Sequence, residues 1–262
     1  MNGGTCSRSS SSIPASALLL VAGAGGIVLS WLVRRMAKET DNADVPASQI
    51  DYSILPCITS RRSIFPNAYA KDDAPELDDR IISSLLAAAR YGPFHGGRYK
   101  QNMHPAKFVV LKKQGMVEMQ KLTLRYYDMV WEEHWSTRED YLKWRATTEG
   151  EITGRWGPCT HMIAIVARRR SGPRVFPEWE ELAATACAVQ NMHLQSTKYE
   201  ELACYWSSWH DAARDSRDMR EFLGMSDEDR CLGFFVVARA KNPKYKPRRI
   251  RNEDIMEVVW RP

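Results

Sequence analysis

EWEELAATACAVQNMHLQSTKY, residues 178–199, carries Leu182, Ala183, Ala186, Val189, Gln190 and His193 along one stripe of helical period. That spacing predicts the best-defined helix of the chain. After a short gap, Ala203-Cys204-Tyr205-Trp206-Ser207-Ser208-Trp209 reads as a strand ending in a tryptophan and two serines. Working outward, the apolar run 232–238 predicts a last buried strand. Residues 162–167, and 108–111 with lysines on either side, predict two more. Ile81, Ile82, Leu85, Leu86 and Ala89 recur at helical spacing behind a string of acidic residues, so 77–90 reads as helix, stopped by Gly92-Pro93. Between the first two strands, 116–145 is a long aromatic and charged helical region. Helices alternating with short buried strands predict an α+β or α/β layer fold and exclude an all-β barrel.

Composition narrows the function classes. A formal charge of +5 in 262 residues, part of it in Arg168-Arg169-Arg170 and in 244–251, lacks the broad basic surface that nucleic-acid binding needs. The cysteines Cys6, Cys57, Cys159, Cys187, Cys204 and Cys231 form no C-x-x-C pair, which argues against a zinc site and a disulfide framework and predicts reduced thiols.

The N-terminal part reads as a disordered leader (1–14), an apolar segment (15–35) and a polar linker (36–48) before a folded domain, 49–262. From Ala15 to Val33 the chain carries no charge. As a helix this run would span roughly 28 Å, close to a bilayer's hydrocarbon thickness. Arg34, Arg35 and Lys38 outweigh Arg8, so a single-pass anchor with the domain on the cytoplasmic side is the favoured expectation. The competing readings are a cleaved signal peptide and an organellar transit peptide, the latter encouraged by the absence of acidic residues before Glu39.

Four features could carry chemistry. Arg61, Arg62 and Ser63 could grip a phosphate by charge-assisted hydrogen bonds, although an Arg-Arg pair alone is more often a solvated surface feature. Pro93-Phe94-His95-Gly96-Gly97 and the stretch from Asn102 through His104-Pro105 to Phe108 form a loop whose glycines allow close ligand approach; by itself it reads equally as a plain surface loop. The helix with Ala188-Val189-Gln190-Asn191 leads to Trp206, Ser207 and Ser208, which could offer donors to an anion or a ring, while core packing explains the helix as well. Lys244-Tyr245-Lys246-Pro247-Arg248-Arg249 is a basic tail able to close over a phosphate.

In this order, these features resemble the nitroreductase family of FMN-dependent oxidoreductases over nearly all of 49–260: an R-R-S element (Arg61-Arg62-Ser63), the Ala-rich helix and loop reaching Asn102 and His104-Pro105, the Ala188–Leu194 pattern, Trp206-Ser207-Ser208, and the tail around Arg248-Arg249. Departures include a lengthened 95–105 loop, Trp209 where a glycine is expected, Glu201 and Ala203 in place of glycines, and Pro56 in the helix before the R-R-S element. The resemblance implies a three-layer α/β/α fold with a mostly antiparallel sheet, and a homodimer with FMN at the subunit interface. It also implies hydride transfer from NADH or NADPH to a nitroaromatic, a quinone or a similar small electrophilic acceptor. Arg61, Arg62, Ser63 and Arg249 would hold the phosphate and ribityl oxygens. His95, Asn102, His104, Trp206, Ser207 and Ser208 would lie about the ring and its chain. Because a flavin carries the redox chemistry, no catalytic side chain and no metal is implied. Residues 126–144 fall where the family varies its active-site cover. Two alternatives stay open: a reductive dehalogenase like iodotyrosine deiodinase, with a zwitterion grip sought among Glu132, Glu133, Tyr141 and Lys143, and a flavin-free, membrane-tethered scaffold.

Overall fold

The computed structural model describes residues 53–70, 75–94, 104–151, 158–169, 176–245 and 257–261. The chain divides into two units, Met1–Ser53 and Ile54–Pro262, and the elements below belong to the second. The expected leader, apolar segment and linker lie outside the described residues. Among the described residues, no helix is long and apolar enough to cross a membrane.

The chain runs through helix α1 (Pro56–Ser60), a 3-10 turn (Pro66–Ala68), α2 (Asp79–Ala89), strand β1 (Ala106–Leu111), α3 (Lys113–His134), α4 (Arg138–Glu151), β2 (Cys159–Ala167), α5 (Glu178–Ser196), β3 (Leu202–Ser207), α6 (Asp211–Arg214), α7 (Arg217–Leu223) and β4 (Arg230–Arg239). The four strands form one sheet in the order β1-β2-β4-β3, and every pairing is antiparallel. Sequence-distant neighbours therefore fill its centre, where β2 and β4 are almost entirely buried.

Strand alternation divides the core into two layers. Ile163, Ile165, Phe235, Val237, Leu202 and Cys204 face Leu85 of α2 and Val189 and Met192 of α5. Met162, Ala164, Phe234, Val236, Ala203 and Tyr205 face Met116 and Met119 of α3 and Met219 and Leu223 of α7. Helices on both faces of an antiparallel sheet make the α/β/α sandwich expected of the sequence.

Local chemistry explains the boundaries. Pro56, which the sequence placed as an interruption, instead starts α1, where a missing N–H costs nothing. Asp78 caps α2 by accepting from the Arg80 backbone N–H at 2.8 Å. The region 116–145 is two helices: α3, with non-helical backbone at Val130, and α4, separated by a break whose Thr137 hydroxyl accepts from Asp140 N–H at 3.2 Å.

Two expectations need correction. The helix predicted over 178–199 ends at Ser196, and its buried side is Glu181, Ala184, Thr185, Ala188, Val189, Met192, His193 and Ser196. Val189 and His193 of the predicted stripe are inside, but Ala183 and Gln190 are exposed and Leu182 and Ala186 half-buried. The helix is apolar on more than one side, so hydropathy alone did not decide which side meets the sheet; the small residues Ala184 and Ala188 take that place. The sequence reading also passed over α6 and α7, although Ser216 as cap of α7 and Gly224 in the left-handed conformation after it are recognisable helix stop and start signals.

Candidate functional site

The Arg61-Arg62-Ser63 turn leaves α1 along the free edge of β3. Two hydrogen bonds fix it: Ile64 N–H donates to the Cys204 carbonyl at 3.0 Å, and His193 Nε2 donates to the Arg62 carbonyl at 2.9 Å. His193 is buried, and desolvation pushes its pKa down to about 4 despite the opposing Arg62 carbonyl, with the Arg61 charge adding to the depression. It therefore works as a neutral donor. The Arg62 guanidinium folds back on α1, donating to the Thr59 and Arg61 carbonyls at 2.7 and 2.9 Å.

Ser60, Arg62 and Ile64 line a cavity of about 340 Å³ together with Ser196, Thr197, Cys204 and the start of the C-terminal segment, where Lys244 and Tyr245 close it. Arg61 and Ser63 are half-buried and do not line it. Two cations from chain ends 182 residues apart thus meet on one cavity, and Glu200 is the carboxylate on its wall.

The second segment sits elsewhere. His104 Nδ1 accepts from the Ala106 N–H at 3.1 Å, which leaves the proton on Nε2, 3.2 Å from the Gly92 carbonyl. Burial lowers its pKa and the Arg168 charge adds to this, while the Gly92 carbonyl opposes it. Gly92 itself lies against α5: a β-carbon there would come within 2.9 Å of Ala188 Cβ. His104 precedes β1, on the opposite edge of the sheet from β3. Three interstrand spacings, roughly 14 Å, therefore separate it from Trp206 along the sheet. One chain joins the R-R-S turn, β3 and the C-terminal segment, and leaves His104 apart. His95, Asn102 and Arg249 lie outside the described residues.

At the end of β3, Trp206 Nε1 donates to the Leu232 carbonyl at 2.7 Å, Ser207 is buried and Ser208 exposed. Beyond them Trp209 and His210 have φ of 32° and 20°. The backbone at Trp209, where the resemblance leads one to expect a glycine, is thus left-handed in spite of an indole, which is buried and donates to Thr123 Oγ1 at 3.1 Å. Thr123 was not visible in the sequence as part of the site, since its partner lies 86 residues away. Gly233, at φ 108°, supports the same corner; a β-carbon there would overlap the Ser207 carbonyl oxygen. A lone glycine in the strand pattern 232–238 was the available sign of that close approach.

The 126–144 region, expected to act as an active-site cover, is a helical hairpin packed through aromatic rings. Tyr127 meets Trp135 and Trp144 at 5.3 and 4.9 Å, and Trp144 meets His210 at 5.4 Å. Tyr141 is fully buried and its hydroxyl donates to Asp128, which also takes two hydrogen bonds from Arg145 at 2.8 and 3.1 Å. Burial and the adjacent Asp128 carboxylate push the Tyr141 hydroxyl up to about 12. Lys143 pairs with Glu139 at 2.8 Å on the surface. The Arg168-Arg169-Arg170 run is structural where it is described: Arg168 donates to the His104 carbonyl, and Arg169 pairs with buried Glu181 at 2.5 Å.

Among solved structures, a nitroreductase with bound FMN from Bacteroides fragilis NCTC 9343 matches with a TM-score of 0.56 at 15% identity, covering 80% of this chain and 100% of its own. A nitroreductase-like family protein from Bacillus cereus matches with 0.55 at 19%, covering 80% and 98%. A mutant of the FMN and NADPH-dependent nitroreductase NfnB derived from Sphigopyxis sp. strain HMH matches with 0.51 at 16%, covering 77% and 96%. At these identities the likeness is one of fold. The chain matches no curated protein. The model of the nitroreductase family matches residues 58–239, and the chain therefore belongs to that family.

Proposed function

We propose that this protein is an FMN-dependent oxidoreductase that takes a hydride from NADH or NADPH and reduces a small electrophilic acceptor such as a nitroaromatic or a quinone. The observation that carries this reading is the R-R-S turn held by His193 and Cys204 at the cavity which Lys244 reaches from the C-terminal segment. Arg62, Lys244 and Ser60 of the cavity, with Arg61 and Ser63 beside it and Glu200 as the one opposing charge among the described residues of its wall, supply the cationic and hydroxyl groups that suit the phosphate and ribityl end of a flavin mononucleotide. Arg61 and Ser63 would hold that end, Arg62 and Lys244 would line its neighbourhood, and Arg249 would join them from the tail. FMN, when bound, supplies reversible hydride acceptance. The side chains bind and orient; Trp206, Ser207 and Ser208 would border the ring, and the Tyr127–Trp144 hairpin would keep water from the acceptor.

A homodimer completes the site in this reading, with His104 of the far sheet edge brought to a ring by a second copy, and with His95 and Asn102, outside the described residues, joining it there. Apolar surface left uncovered in one chain supports it: Ile54, Leu55 and Ile58 beside α1, Tyr91, and Trp179 on α5 are all exposed. We further propose that 15–33 tethers the domain to a membrane with the domain cytoplasmic, organellar targeting being the alternative outcome of a localisation experiment.

The deciding experiment is the visible spectrum of the purified protein, followed by NADH and NADPH oxidation with a nitroaromatic and with a quinone. A flavin spectrum with turnover is expected. A colourless protein that FMN does not reconstitute overturns the reading in favour of a scaffold, and iodide release from a halotyrosine under dithionite moves it to a dehalogenase.

A further inference from the structure

Arg214 closes the short helix α6, immediately past the Trp209–His210 corner, and is half-buried. Its Nε is sealed from solvent and, among the described residues, has no acceptor. No ion pair among those residues includes its guanidinium, whereas Arg145, Arg169 and Arg220 each have a carboxylate within reach. The adjacent carboxylate, Asp215, lies 3.8 Å from Arg220 instead. Nη1 points to the end of β3: it would be 3.2 Å from a β-carbon at Gly233, the same point that the Ser207 carbonyl blocks.

An N–H sealed from water without an acceptor is costly, even where the rest of the guanidinium is only half-buried. The chain keeps this cost beside a second one, the left-handed backbone at Trp209. Two unfavourable features within Ser207–Arg214, next to the segment assigned to the ligand, mark a place prepared for something absent from the isolated chain. The planar fork of an arginine matches a carboxylate or a phosphate.

We propose that Arg214 is an anion-recognition residue, taking the carboxylate or phosphate of a small ligand that enters beside Ser207. The proposal rests on the site reading above and narrows it to ligands carrying an acidic group.

The test uses the full-length protein and the variants Arg214→Met and Arg214→Lys. In the acceptor arm, 4-nitrobenzoate is compared with neutral nitrobenzene; in the donor arm, NADPH with NADH; in the cofactor arm, FMN with riboflavin by fluorescence titration. The anion-to-neutral preference of the acceptor arm or the donor arm falls about tenfold or more in Arg214→Met and is partly kept in Arg214→Lys, while the FMN-to-riboflavin ratio stays as in the parent. Preferences unchanged in both arms, or a fall in the FMN-to-riboflavin ratio, overturn the proposal. If Arg214→Met does not fold, the charge-retaining Arg214→Lys, which lacks the fork, carries the same comparisons. Should the protein bind no flavin, melting curves still decide: 4-nitrobenzoate or phosphate raises the midpoint of the parent and not of the variants if Arg214 holds the anion, and equal response overturns it.

Discussion

His193 Nε2 donates a 2.9 Å hydrogen bond to the carbonyl oxygen of Arg62, across 131 residues of chain. This bond fastens the R-R-S turn to the last turns of α5. It needs a proton on Nε2, which the neutral ring carries, and burial holds the His193 pKa at about 4, below the 6.5 of a free histidine. The unfolded chain therefore binds a proton that the folded one refuses between these values. The stabilisation is complete above about pH 6.5 and is lost as pH falls toward 4, a change of about 3 kcal/mol from this group. Burial lowers His104 and His161 as well, so they act in the same direction. Urea midpoints between pH 4 and 8 are expected to fall on acidification, with a shallower slope in His193→Gln; equal slopes in both proteins would exclude His193 as the source.

Gly233→Ala is expected to be among the most damaging small substitutions in the sheet, at about 3 kcal/mol or more. The added β-carbon overlaps the Ser207 carbonyl, and the backbone at φ 108° is strained for any L side chain. Gly92→Ala meets the Cβ and backbone of Ala188 at 2.9–3.0 Å without a positive φ, and should cost less, about 1–3 kcal/mol. Denaturant titrations of the pair check the order, which a reversal would refute.

Trp209→Gly removes left-handed strain worth about 1 kcal/mol but empties the space of a buried indole, a loss of about 3–5 kcal/mol. The net effect expected is destabilisation, despite the glycine preference of that backbone. Thr123→Val, which leaves the Trp209 Nε1–H without its acceptor, should cost about 1–3 kcal/mol. A stabilised Trp209→Gly protein would mean that the strain dominates.

If Arg61 and Ser63 hold FMN, changing both to Ala weakens flavin retention by more than a single charged hydrogen bond, roughly 1.5–3 kcal/mol. Arg62→Ala should act less on the flavin and more on the end of α1, because its guanidinium is engaged by the Thr59 and Arg61 carbonyls. Fluorescence titration of FMN, with melting curves beside it, separates the two; unchanged affinity in the double variant removes Arg61 and Ser63 from the role.

Tyr141→Phe leaves Asp128 with Arg145 alone and is expected to cost about 1–2 kcal/mol. It should also abolish any tyrosinate transition of this residue, which burial and Asp128 place at about 12. An unaltered ultraviolet titration in the variant would show that Tyr141 never titrated in that range.

The sequence by itself determined the layered α+β architecture, because strands such as 162–167 and 232–238 are apolar on both sides and must lie between helices. The family resemblance carried by the order of the motifs implied a shared site for the R-R-S turn and the β3 end, and the structure sets the turn against Cys204 of β3. Only the tertiary structure decided the strand order β1-β2-β4-β3, which puts His104 and Trp206 on opposite edges, and the side of α5 that enters the core. It alone paired Trp209 with Thr123 and left Arg214 Nε without an acceptor among the described residues. Periodicity and local propensity act over a few neighbouring residues, whereas these relations depend on which distant surfaces fit together, and short windows of sequence do not encode that fit.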